Sequence, residues 1–200
     1  MDEKGSFLKP KLCVSGAADT THLTKDAIIK TEELGKEIIR QGGILVTGAT
    51  SGLPLWAAKG AKSEGGTSIG FSPAGTESEH INSYKLPTEY MDFIIYTGFG
   101  YPGRDLILTK SVDAVFISAG RVGTIHEFTI AFEDEKPMGI LEGDWATDEI
   151  IQLIIEKAHR PNDKIVFDPD PKKLVEKVLE LIKKEKEINY RNYKKVGVSF

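Results

Sequence analysis

The sequence predicts one α/β domain built on a doubly wound, mainly parallel sheet of about seven strands with helices on both faces. Short runs rich in β-branched and other apolar residues alternate along the chain with longer segments of helical periodicity. This alternation implies successive βαβ units and hence a Rossmann-like sheet. Glycine-rich turns follow several of the apolar runs, and 200 residues are enough for one such domain.

The first strand is expected at residues 11–16, where "KLCVSG" carries an apolar run. Residues 24–43 then have the periodicity of an amphipathic helix. Its apolar face consists of Ala27, Ile28, Thr31, Leu34, Ile38 and Ile39. Gly42 and Gly43 end this helix, because they stand where a left-handed C-cap is expected.

The remaining strands and helices alternate in the same way. Strands are expected at residues 44–48, 67–73, 92–98, 113–118, 137–143 and 164–168. Helices are expected within residues 51–66, 101–111, 124–134 and 147–160. The last helix begins at Pro171 with Asp170 as its N-cap. A polar loop is expected at 74–90, and loops of this length are often functional.

No repeat, low-complexity tract or linker divides the chain, so residues 1–200 are expected to form a single nucleotide-binding-like domain. Its core is expected to span residues 10–182, and residues 183–200 are expected to form a C-terminal tail. No apolar run approaches the roughly 20 residues of a membrane span. The first residues also lack the apolar segment of a secretory signal. We therefore expect a cytoplasmic protein with no membrane partner.

Composition restricts the function classes further. The net charge of −4 argues against a nucleic-acid partner, because such domains usually carry a basic stripe. The single cysteine, Cys13, excludes an internal disulfide and fits a reducing compartment. Its place in an apolar run predicts a small buried hydrophobe rather than a nucleophile. The four histidines show no metal-ligand spacing, so no metal site is expected.

Ligands in doubly wound sheets bind beyond the carboxyl ends of the strands. Four glycine-rich loops are expected there, at residues 15–19, 47–54, 97–104 and 118–124. Glycine lets backbone amides approach a ligand and a following helix N-terminus favours an anion, so these loops predict a phosphate site. Tight turns also need glycine, which leaves a purely structural role open. No strict G-x-G-x-x-G follows the first strand, so a standard dinucleotide site is not supported.

Two ionisable residues in these loops are candidates for chemistry. Thr124 and Glu127 form a T-x-x-E pattern, which is typical of a capping box. Alternatively, Glu127 lies one turn into a helix whose first turn binds a phosphate, and it then faces the sugar of the ligand. Arg104 opens the helix after the fourth strand, either as a ligand contact or paired with Asp105. We expect the fourth and fifth strands to be neighbours, so that the loops 97–105 and 118–125 bring Arg104 and Glu127 together.

Three segments together resemble the LONELY GUY superfamily over residues 10–182. The segments are "ILVTGATSGLPLWAAKGAKSEGG", "YTGFGYPGRDLILTKSVDAVFISAGRVGTIHEF" and "KPMGILEGD". The superfamily includes cytokinin-activating phosphoribohydrolases, molybdenum-cofactor carrier proteins and relatives of the DprA fold. Its P-G-G-x-G-T-x-x-E motif matches Ser118, Ala119, Gly120, Gly123, Thr124 and Glu127. Its G-G-G-x-x-G-L-M loop matches Gly48, Ala49, Thr50, Gly52 and Leu53.

The resemblance implies hydrolysis of the N-glycosidic bond of a nucleoside 5′-monophosphate, with Arg104 and Glu127 as the catalytic residues. The phosphate or nucleotide ligands implied are Gly16, Gly48, Thr50, Gly52, Gly103, Gly120, Gly123 and Thr124. No cofactor is required, and a nucleoside monophosphate or phosphate is the expected ligand. A homodimer or higher homo-oligomer is also implied.

Two alternatives stay open beside this reading: a non-catalytic carrier of a nucleotide or molybdopterin-type cofactor, and an interaction module that keeps only the fold. The sequence also departs from the family motifs. Ala119 and Ala49 stand where the motifs have glycine, and we expect their methyl groups to crowd a ligand that approaches the backbone.

Overall fold

The computed structural model describes residues 8–161 and 163–195, with side chains described as far as residue 188. Strands and helices alternate along the whole of this part of the chain. The elements are β1 (Lys11–Ser15), α1 (Lys25–Arg40), β2 (Ile44–Thr47), α2 (Leu53–Ser63), β3 (Ser68–Ser72), α3 (Glu77–Asn82), β4 (Phe93–Tyr96), α4 (Gly100–Ser111), β5 (Ala114–Ile117), α5 (Val122–Glu133), β6 (Met138–Leu141), α6 (Ala146–Ala158), β7 (Ile165–Asp168) and α7 (Pro171–Lys195).

All seven strands form one parallel sheet in the order β4-β3-β2-β1-β5-β6-β7. The predicted α/β class and the Rossmann-like sheet are confirmed. The strand order reverses direction beside β1, which pairs with β2 on one side and with β5 on the other. In open α/β sheets the crevice at such a switch point is where ligands bind.

Helices cover both faces of the sheet because successive side chains of a strand point to opposite faces. Val14 of β1 packs into a cluster with residues of α1, α2 and α7. Its neighbour Cys13 packs on the other face with residues of α4, α5 and α6. The prediction of Cys13 as a buried hydrophobe is confirmed, and burial holds the pKa of its thiol well above the ordinary range.

The connection from β4 to β5 corrects one expectation of the sequence analysis. The two strands are not neighbours, because β3, β2 and β1 lie between them. The α4 helix crosses one face of the sheet to connect them and packs beside α5. This long crossover brings Arg104 of α4 over the ends of β2 and β3, where its guanidinium meets the carbonyls of Gly48 and Phe71.

Several element boundaries also differ from prediction. The strands are one to three residues shorter than expected, since the chain turns into the loops as soon as the ladder ends. The expected loop 74–90 contains α3, whose N-cap Thr76 accepts a hydrogen bond from the amide of Glu79 at 3.1 Å. Residues 183–195 continue α7, and 196–200 lie outside the described residues. Within the described part of the chain, every helix is too short or too polar to span a membrane.

Candidate functional site

A cavity of about 240 Å³ opens at the carboxyl edge of the sheet, beside the switch point. We call it the α5 cavity, because the first turns of α5 form one of its walls. The residues that line it are Val14, Ser15, Gly16, Ala17, Ala18, Gly48, Thr50, Pro54, Tyr101, Arg104, Asp105, Arg121, Gly123, Thr124 and Glu127. Seven of the ten residues proposed from the sequence as site residues are therefore brought together here.

Glu127 is the buried carboxyl group of this cavity. It lies in the second turn of α5 with 8% of its surface exposed, and the hydroxyl of Ser15 donates a hydrogen bond to its Oε2. Burial raises the pKa of Glu127 to about 7, and the neighbouring charge of Asp105 acts in the same direction. Arg104 and the Ser15 hydroxyl oppose this shift. A carboxyl group with a pKa near neutrality can accept or donate a proton at physiological pH.

The capping box expected from Thr124 and Glu127 is absent from this helix. The α5 helix begins two residues earlier, at Val122, and its N-cap Arg121 makes no side-chain hydrogen bond to the first turn. Glu127 bonds to Ser15 instead of reaching back to the helix start. The first-turn amides of α5 have no intrahelical partner. These uncapped donors and the helix dipole favour an anion at the cavity.

Arg104 is held by the protein on three sides. Its Nη1 donates to the carbonyl oxygens of Gly48 and Phe71, the latter at 3.1 Å, and its Nε donates to Asp105 at 2.8 Å. The side chain is 6% exposed. Among the described residues no acceptor contacts its Nη2. Arg104 therefore links the ends of β2 and β3 through hydrogen bonds, and its Nη2 is left to contact a ligand in the cavity.

Asp105 joins this arginine to a histidine. One carboxylate oxygen accepts from Arg104, and the other lies 2.9 Å from Nδ1 of His126, whose side chain is 42% exposed. The predicted Arg104–Asp105 pair is confirmed, and the interaction extends to His126 at the surface. Asp105 adds a second buried carboxylate whose field reaches Glu127.

Three of the predicted glycines lie off the cavity lining, and contacts within the protein require glycine at each. A Cβ at Gly52 would lie 2.2 Å from the carbonyl oxygen of Ala17, and one at Gly103 would meet Phe99 at 2.6 Å. A Cβ at Gly120 would lie 2.0 Å from Oγ1 of Thr124. The amide of Gly120 is engaged as well, because it donates to the hydroxyl of Thr147 at 2.7 Å.

Gly123 differs from those three, because a Cβ built there would meet no atom within 4 Å. It lines the α5 cavity in the first turn of α5, next to the uncapped amides. Of the glycines in this turn region, Gly123 is the one whose missing side chain leaves open space for a ligand.

The two alanines that replace motif glycines do not crowd the cavity. Ala119 is fully buried with Ala27 and Leu53, and its carbonyl oxygen accepts from the amide of Ala17 at 2.9 Å. Ala49 is also fully buried and lies against Gly70, in a left-handed conformation with φ of 51°. Both methyl groups point into the core, so the expectation that they obstruct a ligand is wrong.

Sequence reasoning missed Ser15, Asp105 as a cavity residue, Tyr101 and Arg121. Ser15 stands at the end of a predicted strand directly before Gly16, and that position was a signal for a polar group at the ligand edge. Nothing in the sequence distinguishes Arg121 from an ordinary exposed loop arginine, so its place in the cavity could not be predicted. No cluster of three or more histidine, cysteine or acidic side chains suited to a metal ion occurs among the described residues.

A profile of the SLOG cluster4 family matches residues 9–175. The chain belongs to the SLOG cluster4 family. An uncharacterized protein of Archaeoglobus fulgidus is 31% identical over 109 residues, a match that spans 54% of this chain and 66% of the relative. The Moco carrier protein of Chlamydomonas reinhardtii is 26% identical, with a TM-score of 0.72 over 88% of this chain and 99% of that one. Membership of the SLOG family supports the resemblance in outline, and the narrower phosphoribohydrolase assignment stays a prediction.

A second similar structure corrects the expectation that nucleic acid is not a partner. DNA processing protein A of Helicobacter pylori, whose structure concerns a single-stranded DNA binding mode, has a TM-score of 0.60 to this SLOG protein. It is 17% identical and matches 86% of this chain and 80% of that one, so this likeness shows the fold alone. Because a DNA-binding protein has the same fold, an acidic net charge does not justify excluding nucleic acid.

Proposed function

We propose that this protein binds a nucleoside 5′-monophosphate in the α5 cavity and hydrolyses its N-glycosidic bond to the free base and ribose 5-phosphate. The observation that carries this proposal is the position of Glu127. It is a buried carboxyl group with a pKa raised to about 7, and it lines a cavity that also contains the uncapped start of α5.

The phosphate is expected at the start of α5. The amides of Gly123 and Thr124 and the hydroxyl of Thr124 supply donors, and the helix dipole adds a favourable field. A cationic contact comes from Nη2 of Arg104, which the protein leaves without an acceptor among the described residues. Fixing the phosphate also fixes the sugar carbon that reacts, and positioning of this kind lowers an activation barrier by several kcal/mol in favourable cases, about 7–11 at the limit.

Glu127 lies one turn further along α5, where it would face the ribose. Hydrolysis breaks the bond between the sugar carbon and the base nitrogen, and the base leaves with the bonding electron pair. The oxygen of water bonds to the sugar carbon and water gives a proton to Glu127. The base takes up a proton from solvent, and Glu127 returns its proton to solvent. A carboxylate also stabilises the positive charge that develops on the sugar, as in glycoside hydrolysis. The near-neutral pKa suits the proton-accepting role.

A direct test is incubation of the purified protein with AMP, GMP, CMP and UMP, with free base and ribose 5-phosphate measured by chromatography. We expect product with at least one nucleotide and its loss, by a factor of about 100 or more, in Glu127→Gln. The matched control is Glu176→Gln, an exposed change on α7 that should leave the rate unaltered. Absence of a free base from every nucleotide would overturn the hydrolytic proposal.

A non-catalytic carrier is the second candidate. It is favoured by the 26% identity to the Moco carrier protein of Chlamydomonas reinhardtii along most of both chains. The three-sided bonding of Arg104 within the protein also suits a binding site, since it leaves little of the guanidinium for a reacting group. In this case calorimetry detects binding of a phosphorylated ligand, Gly123→Val abolishes it, and no product forms during prolonged incubation.

A further inference from the structure

A second cavity, of about 220 Å³, adjoins the α5 cavity on the carboxyl edge of the sheet. We call it the α6 cavity, because the start of α6 lines it together with the loops after β1 and β5. Its side chains include Asp19, His22, Leu23, Arg121, Asp144 and Trp145. Ala17 and Arg121 line both cavities, so the two share one wall.

The α5 cavity is too small to enclose a whole nucleotide. Pockets that enclose a ligand of drug size have volumes of about 300–1,000 Å³, and the α5 cavity, at about 240 Å³, is smaller than this range. A nucleotide whose phosphate lies at the start of α5 and whose sugar faces Glu127 therefore needs further space for its base. The α6 cavity provides a similar volume directly beyond the shared wall.

Arg121 is the part of the shared wall that can move at small free-energy cost, because Ala17 is held by backbone hydrogen bonds to Ala119 and Leu53. Arg121 lies 3.6 Å from Asp19 in an ion pair, and the two side chains are 64% and 45% exposed. Exposed ion pairs contribute little to stability, so Arg121 can leave Asp19 at small free-energy cost. A guanidinium released in this way binds a phosphate group equally well. A bound phosphate would thus hold Arg121 on the α5 side and open the passage.

Side chains of the α6 cavity favour a neutral heterocycle over a second phosphate. Asp19 and Asp144 place two carboxylates there against one permanent cation, Arg121. Asp19 already accepts hydrogen bonds from Thr21, whereas Asp144 is exposed and its carboxylate has no hydrogen bond or ion pair among the described residues. Half-buried Trp145 adds aromatic surface to the lining, with the ammonium of Lys30 5.5 Å from the centre of its ring.

Building on the proposed function, we propose that the α6 cavity is the base-binding subsite and that Asp144 accepts hydrogen bonds from the base. The base class is a heterocycle with adjacent ring and amino N–H groups, because a carboxylate accepts two parallel donors best. Guanine and pterins both have a ring N–H group next to an amino group. Adenine has no such pair, because the ring nitrogens beside its amino group are hydrogen-bond acceptors.

The test is calorimetric binding of GMP, AMP, neopterin monophosphate, guanosine and ribose 5-phosphate to the wild-type protein and to Asp144→Asn. We expect GMP or neopterin monophosphate to bind at least about tenfold more tightly than AMP, as a hydrogen bond to a charged group would give. Asp144→Asn should remove that preference without changing the affinity for ribose 5-phosphate. The control Asp163→Asn, an exposed change near β7, should alter none of these affinities.

The arms of this experiment separate the subsite from the phosphate site. Equal affinity for GMP, neopterin monophosphate and AMP, or an unchanged preference in Asp144→Asn, overturns the subsite and leaves the phosphate site standing. Failure of ribose 5-phosphate to bind counts against the proposed function. Guanosine, which has no phosphate, still tests the subsite in that case, because its binding should weaken in Asp144→Asn. The tighter binder of GMP and neopterin monophosphate shows whether the base is a guanine or a pterin.

Discussion

Ser15 at the end of β1 donates a hydrogen bond to the carboxyl group of Glu127, 112 residues further along the chain. This bond links the central strand to the second turn of α5 across the candidate site. It stabilises the ionised form of Glu127, while burial favours the protonated form. Together with the charges of Arg104, which lowers the pKa, and Asp105, which raises it, these effects place the pKa of Glu127 at about 7.

Removal of the Ser15 hydroxyl should therefore raise the pKa of Glu127 further. In Ser15→Ala the carboxylate loses its donor while it stays buried, so the ascending limb of the pH–rate profile for nucleotide hydrolysis should move to higher pH. Carbon-13 NMR of labelled glutamate measures the same pKa without substrate. Ser111→Ala removes an exposed hydroxyl at the end of α4 and should leave the profile in place. A shift toward lower pH would contradict the assigned role of the bond.

Asp105→Asn should move the same pKa in the opposite direction. The charge of Asp105 raises the pKa of Glu127, and asparagine removes this charge while it keeps an acceptor for Arg104. Arg104 then acts on Glu127 with its positive charge less compensated, which favours the carboxylate further. The NMR titration of Glu127 should shift to lower pH, and Asp163→Asn serves as the matched control. An unchanged titration would show that the field of Asp105 does not reach Glu127.

The buried carboxyl group should also leave a signature in the stability of the protein. The pKa of Glu127 is raised in the folded state from 4.5 to about 7, so the folded protein binds more protons than the unfolded chain between these values. The free energy of unfolding must then fall as the pH rises through this window. Each pKa unit corresponds to about 1.4 kcal/mol, which gives an upper bound of about 3.5 kcal/mol.

Glu127→Gln isolates this contribution, because glutamine does not titrate. Relative to the wild type, the variant should become more stable as the pH rises from 4.5 to 8, by up to about 3.5 kcal/mol. Urea denaturation at a series of pH values measures the difference, and Glu176→Gln corrects for the loss of a carboxylate in general. A difference that is constant across the series would mean that folding does not raise the pKa of Glu127.

Much of the fold was predictable because it depends on patterns that are local in sequence. Apolar runs such as that around Val115 and the periodicity of α1 identify strands and helices without knowledge of their partners. The order of the strands is not local. The expectation that β4 and β5 are neighbours was wrong, because nothing in the residues of α4 shows how far a crossover helix travels.

The contacts of the candidate site were also hard to predict, because they join residues that are distant in sequence. A T-x-x-E pattern caps a helix only if the chain turns there, and Thr76–Glu79 does this for α3 while Thr124–Glu127 does not. Glu127 instead binds a residue of a distant strand, and such a contact cannot be read from a four-residue pattern. Glycine-rich loops could be predicted at the carboxyl ends of the strands, but which neighbour each glycine accommodates depends on the packed structure.

Two glycine substitutions separate structural glycines from ligand-facing ones. A Cβ at Gly48 would lie 2.1 Å from Nη1 of Arg104, which is buried and bonded to the Gly48 carbonyl itself. The guanidinium has no space to retreat without breaking its bonds to Phe71 and Asp105. Gly48→Ala should therefore lower the free energy of unfolding by about 1–3 kcal/mol, as overpacking of a core does.

Gly123→Ala should have the opposite effect on stability. A Cβ there meets no atom within 4 Å, and alanine is the better helix former by up to about 1 kcal/mol. The added methyl group stands beside the first-turn amides of α5, so it should weaken binding of ribose 5-phosphate while it stabilises the protein. Denaturation and calorimetry on the same preparations measure both effects. If Gly123→Ala bound ribose 5-phosphate as tightly as the wild type, the phosphate would have to lie elsewhere in the cavity, because a methyl group at this position narrows the approach to the amides.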